Sequence, residues 1–181
     1  MVYNLKNCRD GSIATYDTTV EISRKDGRLY FKFTAKNSQF YCPFHEYNDL
    51  HSGGDACEIL IGSDEERKNY YEIEISPENK LMIALMTYCG EDVDEPKLDL
   101  QFVKESFIDS KVTLTQDAYT AELWFDEKNI RTGVGEIYFN AYRLETDGGE
   151  CEKHLFALNP TMRGKFHTPQ YFVYLNDYLK E

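Results

Sequence analysis

Positive charge is what this chain has least of. Its 20 Lys and Arg face 32 Asp and Glu, the formal net charge is −12, and no basic run interrupts the acidic background. A phosphate binder needs a basic patch, so nucleic acid and anionic membrane are excluded as partners. Long apolar runs are missing too, and nothing approaches the roughly 20 residues of a membrane-spanning helix. The N-terminus has no basic start followed by an apolar stretch, so no signal peptide is visible. With Met1 as the native start the expected location is the cytoplasm; for an excised domain it is open. The five cysteines, Cys8, Cys42, Cys57, Cys89 and Cys151, are odd in number and widely spaced. No pair is close enough to suggest a zinc knuckle, and all five read as reduced thiols, with a disulfide as the open alternative. His45, His51, His154 and His167 show no metal-binding spacing either, and no Ser–His–Asp or Cys–His motif is local to the sequence. A sustained 3.6-residue apolar period is absent, which removes the helical fold classes.

What is present is strand and turn. Tyrosine (14) and phenylalanine (11) dominate an aromatic content of 14%, with a single tryptophan, Trp124. These residues favour strands, and Tyr also favours ligand surfaces. Thr18–Arg24 and Arg28–Ala35 flank the turn signal Lys25-Asp-Gly27. Residues 37–54 read as irregular. Strands follow over 55–62, 69–75, 81–88, 111–115, 118–125, 136–144, 154–158 and 171–175. The acidic stretch 90–100 reads as a surface loop and 126–130 as one helical turn. About nine or more short strands in 181 residues predict an all-β fold. The expectation is a single-domain antiparallel β-sandwich over 1–181, jelly-roll-like.

The strand pair around Glu58 carries the chemistry. Alternation sends Cys57, Ile59 and Ile61 to one face and Glu58 to the other. In the next strand Tyr71, Ile73 and Ile75 share a side, with Tyr70, Glu72 and Glu74 opposite. A register centred on the loop brings Glu58 close to Glu72. Such a carboxylate-lined, tyrosine-rich face suits a hydroxyl-rich ligand, because charge-assisted hydrogen bonds are stronger than neutral ones. Paired carboxylates also suit glycosidic hydrolysis or calcium, which takes several oxygen ligands; exposed Glu in an acidic protein is the plain alternative. Trp124 shares its strand side with Thr120, Glu122 and Asp126, where its ring would stack on a sugar or lie under another segment. Asn140 and Tyr142 share a polar strand side, as hydroxyl partners or as cross-strand packing.

The order of these segments resembles carbohydrate-binding module family 9. The matching pieces are residues 48–61, 70–79, 120–125, 137–143, 156–161 and 166–172, and together they span most of the chain from about residue 12. The resemblance implies a β-sandwich that holds a sugar, at a chain end in the known cases, between two aromatic rings. Glu58 matches the family's glutamate that contacts sugar hydroxyls, and the second ring falls near Phe166. Ser52, with His51 beside it, stands where the family has its first ring, a Trp. Glu72 stands at a family arginine and Tyr142 at a family glutamine. His51 and His167 would meet at the site mouth if the family layout holds. The leading expectation is a non-catalytic carbohydrate-binding domain with Glu58, Glu72, His51, Trp124, Asn140, Tyr142 and Phe166 as ligand residues, no cofactor, and calcium as a candidate ion. The alternatives are an interaction or oligomerisation domain that has lost the sugar, and a glycoside hydrolase or a partner of one. The oligomeric state is open.

Overall fold

The computed structural model describes residues 1–37, 39–49, 53–89, 97–149 and 153–179. Thirteen strands are present among them: β1 (Val2–Asn4), β2 (Lys6–Asn7), β3 (Thr18–Lys25), β4 (Arg28–Lys36), β5 (Ala56–Gly62), β6 (Asn69–Ile75), β7 (Leu81–Tyr88), β8 (Leu98–Phe102), β9 (Asp109–Leu114), β10 (Ala118–Asp126), β11 (Tyr138–Glu145), β12 (His154–Ala157) and β13 (Val173–Tyr174). All pairings are antiparallel and form two sheets. The first runs β1-β3-β4-β10-β9, and the second β2-β12-β11-β5-β6-β7-β8, with β13 also paired to β11.

Period-2 alternation builds the core between the sheets. From the first sheet, Leu29, Phe31 and Phe33 of β4 and Tyr119, Leu123 and Phe125 of β10 point inward. From the second come Ile59 and Ile61 of β5, Ile73 and Ile75 of β6, and Phe139 of β11. The β3–β4 turn places Asp26 and Gly27 at φ +52° and +74°. Two positive φ values in a two-residue turn match the twist of the flanking strands, and Asp-Gly tolerates them.

Two expectations need correction. Part of the expected loop 90–100 is strand β8, whose Leu98 and Leu100 pair with Tyr88 and Met86 of β7. The intervening Asp99 and Gln101 hide a short alternation on an edge strand. The final strand is only Val173–Tyr174, because 3-10 turns over Pro169–Tyr171 and Leu175–Asp177 close on it from both sides.

The sheets differ in their outer faces. β4 and β10 alternate buried with half-buried residues, as a sheet with one wet face does. β5 and β11 are buried at every position. Their outer side is covered by residues 159–172, which seal a second apolar cluster of Leu60, Tyr70, Met82, Met86, Tyr142 and Phe172.

Candidate pocket on the covered sheet face

The covering segment is fastened by hydrogen bonds that start on β11. Asn140 Nδ2 donates to the Asn159 carbonyl at 2.8 Å and to the Tyr142 hydroxyl at 2.9 Å, and Asn159 N–H returns to Asn140 Oδ1 at 3.0 Å. The Tyr142 hydroxyl donates to the Phe166 carbonyl at 3.0 Å. The Tyr142 and Phe166 rings stack with centroids 4.3 Å apart and 24° between planes. Arg67 Nη1 donates to the Phe172 carbonyl at 2.8 Å.

Beside this strap lies a pocket of about 370 Å³. Glu58, Glu72 and Glu74 form its sheet wall; Leu144, Leu155 and Phe166 line it with apolar surface; Lys153, Lys165 and His167 complete it. The register puts Glu58 directly opposite Glu74, with Glu72 opposite Leu60. Glu72 is thus the diagonal neighbour, one pair further along than the sequence suggests. All three carboxylates are buried, at 4%, 6% and 8% exposure. Burial, reinforced by the charges of Glu72, Glu74 and Cys8, pushes the Glu58 carboxyl well above its ordinary range. Glu58 Oε1 has no hydrogen-bond partner among the described residues. His167 is held in place from both ring nitrogens: Nε2 lies 3.1 Å from Glu72 Oε1 and Nδ1 lies 3.0 Å from the Tyr70 hydroxyl. Burial first, then Glu72 and Glu58, raises the Tyr70 phenol.

The other buried charged cluster, at one end of the sandwich, is tied into the fold. Arg143 pairs with Glu145 and donates to Thr18 Oγ1 at 2.8 Å, while Asn37 Nδ2 donates to Glu145 Oε1. Asp55 accepts from the Thr146 N–H and hydroxyl and from Tyr41 N–H. The carboxylates there have donors, so that cluster offers a ligand little.

Comparison of folds decides what scaffold carries the pocket. A protein from Bacteroides uniformis ATCC 8492 described as a "putative carbohydrate-binding protein" superposes with a TM-score of 0.73 at 13% identity, covering 95% of this chain and 84% of that one. A carbohydrate-binding module of family 9 from Caldicellulosiruptor kristjanssonii in complex with glucose gives 0.60 at 10% identity, over 94% and 82% of the two chains. The same kind of module with cellotriose gives 0.60 at 12%, over 94% and 78%. The chain has the fold of a family 9 carbohydrate-binding module. No protein-family model matches its sequence, and a search of curated proteins finds no match. At such low identities the family 9 likeness establishes the sandwich and leaves the site to be argued from its own residues.

On this family 9-like scaffold Glu58, Glu72 and Phe166 come together in the pocket. Tyr142 and Asn140 do not reach it as ligand groups. Both are fully buried, Tyr142 supporting the Phe166 ring from behind and Asn140 fastening the strap. Trp124 stands apart, on the outer face of the other sheet, beside Tyr30 with ring centroids 5.4 Å apart. It lines a shallow depression of about 490 Å³ with Lys25, Arg28 and Glu122, and shares nothing with Glu58. His51 and Ser52 lie outside the described residues, as does Cys151. Cys8 and Cys57 are buried free thiols, Cys42 is half-buried and Cys89 exposed. His45 is exposed, and His154 stacks near Phe156 with centroids 6.5 Å apart.

Four polar pocket residues were not among the expected ligand groups: Glu74, His167, Lys153 and Lys165. Glu74 was legible from alternation, since it shares its strand side with Glu72. His167 follows Phe166 directly. The two lysines carry no sequence signal, because the strap and the β11–β12 connection bring them in from distant positions.

Proposed function

We propose that the pocket beside the strap binds carbohydrate, and that the chain is a non-catalytic binding module. The observation that carries this reading is the convergence of three acceptor carboxylates and one supported aromatic ring on a single small cavity. Vicinal sugar hydroxyls donate to Glu58 and Glu74, which face each other across β5 and β6, and Glu58 Oε1 has no partner among the described residues. Phe166, braced by Tyr142, offers a flat apolar surface to a sugar's C–H face. The cavity volume sits at the low end of the about 300–1,000 Å³ of small-molecule pockets, which suits one or two sugar rings. Affinity is expected to be weak, since a small hydrated ligand gives up much water on binding.

Hydrolysis fits less well. Glycosidases flank the scissile bond with two carboxyl groups, whereas Glu58, Glu72 and Glu74 stand side by side on one sheet face.

Calorimetry against a panel of mono- and disaccharides, with glucose and short β-glucans included, tests the proposal. Binding that is lost in Phe166→Ala and strongly weakened in Glu58→Ala supports it. No heat at millimolar sugar, or unchanged binding in both variants, overturns it and favours the interaction-domain reading.

A further inference from the structure

We infer that the floor of this pocket is a divalent-cation site formed by Glu58, Glu72 and His167, and that it takes an ion accepting nitrogen as well as oxygen, with Zn2+ the natural probe. One ligand atom from each of these three residues lies within 4.8 Å of the others. Donors bound to one tetrahedral Zn2+ at about 2.0–2.2 Å stand about 3.3–3.6 Å apart, so the set closes with side-chain movements of up to about 1 Å.

Two further observations point the same way. Glu58 is 4% exposed, lines the pocket, and keeps its Oε1 without a partner among the described residues. An unmade bond to a buried carboxylate oxygen is costly, and a cation would satisfy it. His167 is already oriented as metal-binding histidines are, with its second ring nitrogen engaged: Nδ1 meets the Tyr70 hydroxyl while Nε2 faces Glu72. The donor chemistry selects the ion. Calcium prefers oxygen-only cages of about six to eight ligands, whereas one imidazole and two carboxylates suit Zn2+ or a similar transition ion. Three protein donors leave a coordination position for water. Lys153 and Lys165 line the same cavity and would compete with a cation for its carboxylates, so the site is expected to be of moderate affinity.

The inference rests on the ligand atoms alone and stands whether or not sugar binds. The test uses the full chain stripped with chelator, carrying Cys89→Ser so that the exposed thiol binds nothing. Zn2+ is added without sugar and followed by calorimetry and thermal melting. The expected result is one equivalent bound per chain with a raised Tm, and an affinity reduced at least tenfold by Glu58→Gln and by His167→Ala, while Ca2+ gives no comparable signal. His167 is 25% exposed, so its replacement disturbs the packing less than a change at Glu58 and gives a second variant if Glu58→Gln misfolds. Absence of stoichiometric Zn2+ binding, or equal affinity in wild type and His167→Ala, overturns the site.

Discussion

The two sheets carry similar outward patterns and put them to different use. On the first sheet Tyr30, Glu122 and Trp124 form an aromatic-and-acidic outer face; on the second, Tyr70, Glu58, Glu72, Glu74 and Tyr142 do the same. The first face is half-exposed, and its acid is matched by an ordinary hydrogen bond, Tyr30 to Glu122 Oε2 at 2.8 Å. The second is covered by residues 159–172 beside the pocket, and there Glu58 Oε1 has no partner among the described residues. Water forgives polar groups on an open face; a lid makes each one consequential. Site chemistry therefore follows the covering segment more than the residue pattern beneath it.

The largest contrast is expected between Tyr142→Ala and Trp124→Ala. Tyr142 is fully buried, supports Phe166 and bonds its carbonyl, so its loss leaves a cavity and frees the strap. A cost of about 3–5 kcal/mol follows from large-to-small substitution in a packed site. Trp124 leans on Tyr30 over a half-buried surface, and about 1 kcal/mol is expected there. Urea denaturation of both variants measures the difference. Equal losses would mean that the strap is not packed as described.

A smaller effect, of opposite sign, belongs to Glu58. Its folded-state carboxyl is raised above the ordinary 4.5 by burial and by Glu72 and Glu74. The folded state thus holds this proton more tightly than the unfolded chain does. That contribution to stability is complete below pH 4.5 and is lost as pH rises towards the folded value. In chelator, Glu58→Gln should then be more stable than wild type at pH 7, with the gap closing as pH falls towards 4.5. Thermal melts across that range check it. A gap that stays constant with pH would show that Glu58 is ionised and solvated, as on the open face.

Much of this was legible beforehand, for a physical reason. The pleat has period 2, so the facing of Ile59, Ile73 and Phe139, and the shared side of Glu72 and Glu74, follow from alternation alone. The hairpin at Asp26-Gly27 follows from φ tolerance. What alternation cannot show is which polar side is covered. Tyr142 and Asn140 read as hydroxyl partners because their strand side is polar; in the fold they are posts for a strap some 20 residues away in sequence. Trp124 read as a stacking ring by the same logic, and the topology sends β10 to the other sheet. Register also escaped: Glu58 meets Glu74 because the loop between β5 and β6 spans Ser63–Lys68, with Asp64 gathering the N–H groups of Lys68 and Asn69. His167 was legible at the site mouth beside Phe166 but not against Glu72 and Tyr70, because those partners come from β6, some hundred residues earlier.

The finest test deletes one oxygen from each face. Tyr142→Phe keeps the ring stack and removes the hydroxyl that links Asn140 to the Phe166 carbonyl. Both partners are then short of a bond beneath the strap, where water does not easily replace it, and a cost of about 1–3 kcal/mol is expected. Tyr30→Phe removes the hydroxyl bonded to Glu122, but that carboxylate is half-exposed and water can take the vacated place. About 0.5 kcal/mol is expected, at the low end for a hydrogen bond with solvent access. The chemical change is identical, so the ratio of the two losses measures how dry the covered face is. A Tyr142→Phe loss as small as that of Tyr30→Phe would mean that solvent reaches the floor of the pocket, and the unpaired oxygen of Glu58 would then need no ligand to satisfy it.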